Sequence, residues 1–133
     1  MQRSRTSPTF PADGNDLAGI RDPDAAVPLA TTTGWNFWAE AVGNPGDVYQ
    51  TLGSYIPFAT TRAARETAGD SRLSIEERYR SLEDYLQQVR AVTTELIRDR
   101  LLLEEDLENV LARARAHWDF ATRGRATSAV DPR

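Results

Sequence analysis

The chain has 133 residues, the length of one domain. Twenty acidic and sixteen basic residues leave a net charge of −4, which disfavours nucleic acid as a partner, because that role requires a basic face. All the basic residues are arginine and there is no cysteine, so lysine Schiff-base chemistry, disulfides, thiolate nucleophiles and zinc–thiolate sites are excluded. No apolar stretch approaches the ~20 residues of a membrane span, so we expect no membrane partner and a cytoplasmic protein.

The first part of the chain is predicted to be irregular. Residues 1–26 are rich in Ser, Thr, Asp, Gly and Pro, which indicates a flexible or loop-like segment. An apolar run that passes into threonines, Ala25 to Thr33, favours an extended backbone. Pro28 restricts it to an edge strand or a strand-like loop, because proline cannot donate to a central ladder.

Residues 27–60 carry many large rings among Gly and Pro, with little regular periodicity. Several aromatic side chains are unfavourable in water, so such a segment is expected to pack across another surface. The residues that we assign to this surface are Trp35, Trp38, Tyr55 and Phe58. A packing surface against another domain is our preferred interpretation, and a pocket for an apolar ligand or a sugar is the alternative.

Residues 61–122 are predicted to be helical, and 123–133 to be a tail. Thr61 is a suitable N-cap for a short helix over 62–68, which Gly69 would end. Ser74 and Glu77 have the spacing of a capping box, and Ser81 is placed to cap the helix that follows.

Two apolar stripes with helical spacing follow Ser81. The members of the first are Leu82, Tyr85, Leu86, Val89, Val92, Leu96 and Ile97, and those of the second are Leu107, Val110, Leu111, Ala114 and Trp118. Each stripe begins with acidic and ends with basic residues, as the helix dipole prefers, which indicates a restart near Leu101 to Leu103. We therefore predict an amphipathic helical hairpin; one long helix from Ser81 to Trp118 is the alternative, because no Gly or Pro marks the turn. The predicted fold class is mainly α, with an irregular aromatic-rich half, a short helix, this hairpin and at most a short edge strand.

The residues offer little catalytic chemistry. Ser54 has Leu52 and Ile56 where a nucleophile elbow needs glycines, so we interpret it as part of a turn. His117, the only histidine, lies near a predicted helix end, where a dipole contact or solvent exposure explains it better than a triad. The segment 13–16, Asp-Gly-Asn-Asp, lacks the ligand order of a calcium loop. We predict no catalytic residue, no metal and no cofactor.

Several ordered motifs nevertheless resemble one family, the C-terminal region of bacterial proteins with an α/β-hydrolase domain. The resemblance spans about residues 10–120. The motifs that carry it are Asp13–Arg21, Val27–Thr31, Gly34–Asn36, Gly53–Arg62, Ser74–Tyr79, Tyr85–Leu86 and Leu101–Asp106.

The resemblance implies a serine hydrolase of unassigned substrate whose nucleophile elbow lies upstream of this region, and no catalytic residue of the family has a matching position here. The chain would then be a C-terminal fragment or accessory region that is not catalytic alone. Its aromatic segment would pack on a catalytic domain. The alternative is a small helical interaction module that takes a partner helix or self-associates.

Overall fold

A computed structural model describes residues 12–15, 19–34, 36–37, 48–49 and 53–123. In this part of the chain the fold is mainly α, as the sequence predicts. The helices are α1 Pro23–Ala26, α2 Arg62–Ala68, α3 Ile75–Arg78, α4 Leu82–Arg98 and α5 Leu107–Thr122, the last preceded by a 3₁₀ turn over Glu104–Asp106. The strands are β1 Ala30–Thr33, β2 Asn36–Phe37, β3 Val48–Tyr49 and β4 Ser54–Pro57.

The strands form two antiparallel pairs, β1 with β4 and β2 with β3. In the first pair, which we call the β1–β4 ribbon, Ala30 lies opposite Pro57 and Thr33 opposite Ser54. The turn that we predicted at Ser54 is therefore wrong, because Ser54 begins a strand. Gly53 explains the close approach just before it: a Cβ there would lie 1.9 Å from the Thr33 carbonyl oxygen.

The extended run predicted from Ala25 is only partly correct. The strand begins at Ala30, and the residues before Val27 form the one-turn helix α1. Asp22 caps this helix by accepting a hydrogen bond from the Ala25 N–H, and Pro23 occupies the first turn. The proline content of residues 1–26 indicated a loop, whereas proline is favoured at the first helical position, where its missing N–H costs nothing.

One buried side chain satisfies the edge of β1 that does not pair with β4. The Asn15 amide nitrogen donates to the Ala30 carbonyl at 2.9 Å, and its oxygen accepts from the Thr32 N–H at 2.8 Å. Asn15 is 1% exposed. Its side chain therefore supplies the hydrogen bonds that a further strand would make.

The helical hairpin is confirmed, with α4 packed against α5. Arg100 makes the turn possible by adopting a left-handed backbone, φ 60°. The Leu101 N–H donates to Leu96 and the Arg100 N–H to Ile97, which is the Schellman pattern that ends many helices. The single long helix is thereby excluded.

The predicted helix ends are also confirmed. Thr61 and Ser81 accept N-cap hydrogen bonds at the starts of α2 and α4. Ser74 and Glu77 form the reciprocal capping box of α3. Gly69 ends α2 with φ 66°, in the conformation that glycine adopts without strain.

The core joins α3, α4 and α5 to the segment around β1. Three rings form its centre: Tyr85 lies 5.1 Å from Tyr79 and 5.2 Å from Trp118 between ring centroids. The Tyr79 hydroxyl donates to the Pro28 carbonyl at 2.7 Å. This hydrogen bond holds the segment that leads into β1 against the helices. The buried members are Val27, Leu29, Phe58, Ile75, Tyr79, Tyr85, Val89 and Ala114.

Candidate functional site

The four aromatic residues of the predicted surface do not share one environment. Trp35 and Trp38 lie outside the described residues. Tyr55, on β4, is 41% exposed, whereas Phe58, one residue beyond β4, is 3% exposed. Phe58 thus belongs to the core of this chain.

Two arginines cover the Phe58 ring. The guanidinium carbon of Arg78 lies 4.1 Å from the ring centroid and that of Arg72 lies 5.3 Å away. Cations at these distances are attracted by the ring quadrupole. Arg72 also donates to the carbonyls of Ile56 and Pro57 and to the Thr31 hydroxyl. The β1–β4 ribbon is therefore held by polar contacts of Arg72 beside the buried Phe58 ring.

Tyr55 contacts the last turns of α5. Its hydroxyl lies 2.7 Å from His117 Nε2, and its ring centroid is 6.3 Å from that of Phe120. Phe120 is 62% exposed. We call Tyr55, His117 and Phe120 together the Phe120 surface. Sequence analysis missed this grouping, because 62 positions separate Tyr55 from His117 and no local pattern links them.

His117 is half-buried rather than freely exposed at the helix end. Burial lowers the pKa of its imidazole, an effect that Arg113 reinforces and the carboxylate of Asp24 opposes. Asp24 and Arg113 form an ion pair at 3.2 Å that joins α1 to α5. The imidazole is therefore held in its neutral form near pH 7, where one ring nitrogen accepts a hydrogen bond and the other donates.

A cavity of about 620 Å³ lies beside Phe120. Its walls come from the segment after β4, from α2 and from the end of α5. Most of the lining residues are apolar, with Thr60, Asp70 and Arg123 at the polar positions. The lining residues are Pro57, Phe58, Ala59, Thr60, Ala64, Asp70, Phe120, Ala121 and Arg123. Phe120 is thus both a wall of this cavity and a member of the exposed surface.

The charged residues of α2, of α3 and of the segment that joins them form a face of mixed charge. Arg65 binds the Glu77 carboxylate through two nitrogens, at 2.8 and 2.9 Å. These bonds, together with the N–H of Ser74, lower the pKa of Glu77 to about 2. Arg72 pairs with Asp70 at 2.6 Å, and its hydrogen bonds lower the pKa of that carboxyl. This face stabilises the fold and leaves these carboxylates ionised near pH 7.

Three of the described serines have structural roles. Ser74 and Ser81 cap helices, and the Ser54 N–H donates to the Thr33 hydroxyl within the β1–β4 ribbon. Asp13 contacts Asn15 and forms an ion pair with Arg78 at 3.7 Å. Within the described part of the chain, no three His, Asp or Glu residues are grouped as metal ligands would be. Over the same residues, none of the helices combines the length and hydropathy that crossing a membrane requires.

These elements define a small, mainly α unit: a helical hairpin packed against α1 and against the residues that flank a two-stranded ribbon. A family model described as alpha/beta hydrolase domain matches residues 1–112, and the chain belongs to this family. No curated protein and no solved structure matches the chain. The match ends within α5, so His117 and Phe120 lie beyond it, as does the core residue Trp118.

Proposed function

We propose that this chain is an accessory, C-terminal region of a serine hydrolase, not catalytic alone, and that it docks on a catalytic domain. The family membership supplies the class of chemistry. A serine hydrolase of this class needs a nucleophile held in a strand-to-helix turn, and the sequence contains no Gly-x-Ser-x-Gly.

The observation that carries the proposal is the pairing of His117 with Tyr55. In a Ser-His-Asp triad the Nε2 atom of histidine takes the proton of the nucleophile. Here the hydroxyl on Nε2 belongs to a tyrosine, at 2.7 Å. The one histidine of the chain thus contacts a tyrosine on β4 through Nε2, the nitrogen that a catalytic histidine would present to its serine.

The Phe120 surface supports docking on a catalytic domain. Phe120 is 62% exposed and borders a cavity of about 620 Å³ with mostly apolar walls. Large exposed rings beside an apolar cavity are typical of interfaces, where an aromatic anchor fills a pocket. Of the aromatic residues that the sequence assigns to a packing surface, Tyr55 adjoins this site. The proposed partner is the catalytic hydrolase domain, on the same chain or on a second one.

The test begins with the DNA upstream of the coding region, which we expect to encode a hydrolase core with a Gly-x-Ser-x-Gly segment. That core is then produced separately and titrated with the 133-residue chain by calorimetry. Phe120→Asp should weaken the binding at least about tenfold, because it places a charge at the centre of the contact.

Leu103→Asp is the matched control, because Leu103 is 61% exposed but lies at the turn of the hairpin. It should change the affinity by less than about twofold. Equal losses in both variants would contradict docking through Phe120. Binding that neither variant changes would place the interface elsewhere, and the lack of an encoded hydrolase core would contradict the proposal as a whole.

A further inference from the structure

A second groove lies between α4 and α5, and residues of these two helices alone line it. We call it the hairpin groove; it encloses about 550 Å³. Its apolar lining includes Leu86 and Leu111, which also pack against the core, together with the exposed Ala112 and Ala116. Small residues at the surface of a helix allow another helix to approach closely.

The charges along the hairpin groove are arranged in a definite order. Arg90 and Glu108 form an ion pair across it at 4.0 Å and mark one end. Glu83 lies seven residues before Arg90, about 10 Å along α4 at 1.5 Å per residue. Because α4 and α5 are antiparallel, Arg115 and Asp119 are displaced from Glu108 towards the same end as Glu83.

We infer that the occupant of the hairpin groove is a second copy of this chain, related by a two-fold axis across the groove. Such an axis lays α4 against α4 of the other copy in the reverse direction, so Arg90 meets the Glu83 of that copy. Arg115 then lies towards the partner's Glu108. Arg90 with Glu83 and Arg115 with Glu108 are thus complementary between the two copies, whereas a helix of a single charge sign would oppose either these arginines or these glutamates with like charges.

Two hairpins joined in this way form a four-helix arrangement. The apolar face that each hairpin leaves open is then covered by the hairpin of the other copy. This interface does not include Phe120, so the inference goes beyond the docking on a hydrolase domain. Substitutions in the hairpin groove can therefore be tested without changing any residue of the Phe120 surface.

Sedimentation velocity of the full chain at concentrations on the order of 10 to 500 µM tests the inference. The expected result is a transition from 14.8 kDa to twice that mass as the concentration rises. Ala112→Arg should raise the dissociation constant at least about tenfold, because the longer side chain fills the groove. Ala91→Arg is the matched control, since Ala91 is an exposed alanine on α4 outside the groove lining, and it should leave the constant within about twofold.

A charge swap tests the orientation of the two copies. Arg90→Glu should weaken the dimer, and the double variant with Glu83→Arg should restore it, because the reversed charges again meet their opposites. Thermal melting of each variant shows whether it is folded. A monomer at every concentration would overturn the inference, as would equal effects of Ala112→Arg and Ala91→Arg. A dimer lost in Phe120→Asp but kept in Ala112→Arg would overturn it too, by placing the interface on the Phe120 surface.

Discussion

The helical hairpin and the β1–β4 ribbon are stabilised by different kinds of interaction. In the hairpin, apolar side chains recur at helical spacing, and Tyr85 and Val89 are buried by contacts that the local period already indicates. In the ribbon, a strand of four residues pairs with only one other, and the side chains of Asn15 and Arg72 supply the remaining hydrogen bonds. The hairpin therefore depends on apolar burial, whereas the ribbon depends on a few polar contacts between distant residues.

The largest expected effect is the loss of the hairpin core. Tyr85→Ala should lower the free energy of unfolding by about 3–5 kcal/mol, because it removes a buried ring between Tyr79 and Trp118. Tyr85→Phe keeps the ring and removes only its hydroxyl, so it measures the contribution of the hydroxyl alone. That hydroxyl is buried and has no hydrogen-bond partner among the described residues, so its removal should stabilise the protein by up to about 1 kcal/mol.

Urea denaturation of both variants measures these differences. A marked destabilisation by Tyr85→Phe would show that the hydroxyl makes a contact that matters, and would contradict a core held there by apolar packing alone.

The second prediction concerns the ribbon. Arg72→Ala should cost about 2 kcal/mol, because the guanidinium joins β1 and β4 through the Thr31 hydroxyl and two backbone carbonyls. The matched control is Arg80→Ala, since the Arg80 side chain is 95% exposed. It should change the stability by less than about 0.5 kcal/mol. If the two variants were equally stable, the polar contacts of Arg72 would not hold the ribbon.

The third prediction is a dependence on pH. The pKa of Glu77 is lowered from 4.5 to about 2, chiefly by hydrogen bonds from Arg65. Because the folded pKa is the lower one, the stability that Glu77 contributes is fully present above pH 4.5 and is lost as the pH falls towards 2. Glu77→Gln should therefore flatten the decline of stability in this window, as measured by denaturant unfolding at stepped pH. An unchanged pH profile would contradict the role of Glu77.

The smallest effect is expected at the turn of the hairpin. Arg100 adopts φ 60°, where a side chain is strained and glycine is not, so Arg100→Gly should raise the stability by about 0.5–1 kcal/mol. Gly69 ends α2 in the same conformation, and Gly69→Ala should lower the stability by about 1 kcal/mol. Thermal melting of the pair compares the two helix ends. Changes of the same sign would contradict this explanation.

Sequence reasoning succeeded where the determining contacts are local. The caps at Thr61, Ser74 and Ser81 lie within three residues of the N–H groups that they bind, and the two stripes lie on continuous helices. The restart predicted near Leu101 to Leu103 from the repeated charge order is confirmed, since α4 ends at Arg98 and the 3₁₀ turn before α5 begins at Glu104, with Arg100 in the turn. Its backbone conformation was not foreseen, because arginine is not a residue that marks left-handed turns.

It failed where the contacts join distant parts of the chain. Asn15 reaches Thr32 over 17 positions and Arg72 reaches Thr31 over 41, and neither residue type in isolation indicates such a role. The aromatic content of residues 27–60 indicated a packing segment. Composition cannot distinguish an exposed ring from a buried one, and Phe58 proved to be buried in this chain's own core.

We propose that this chain is not catalytic alone. The most direct test is the reaction of the purified chain with a fluorophosphonate, followed by intact-mass spectrometry. We predict no covalent adduct, because His117 Nε2 is engaged by the Tyr55 hydroxyl and no described serine stands in a nucleophile elbow. One adduct per chain, abolished by Ser54→Ala or by another single serine substitution, would contradict this and would show that the chain carries its own active site.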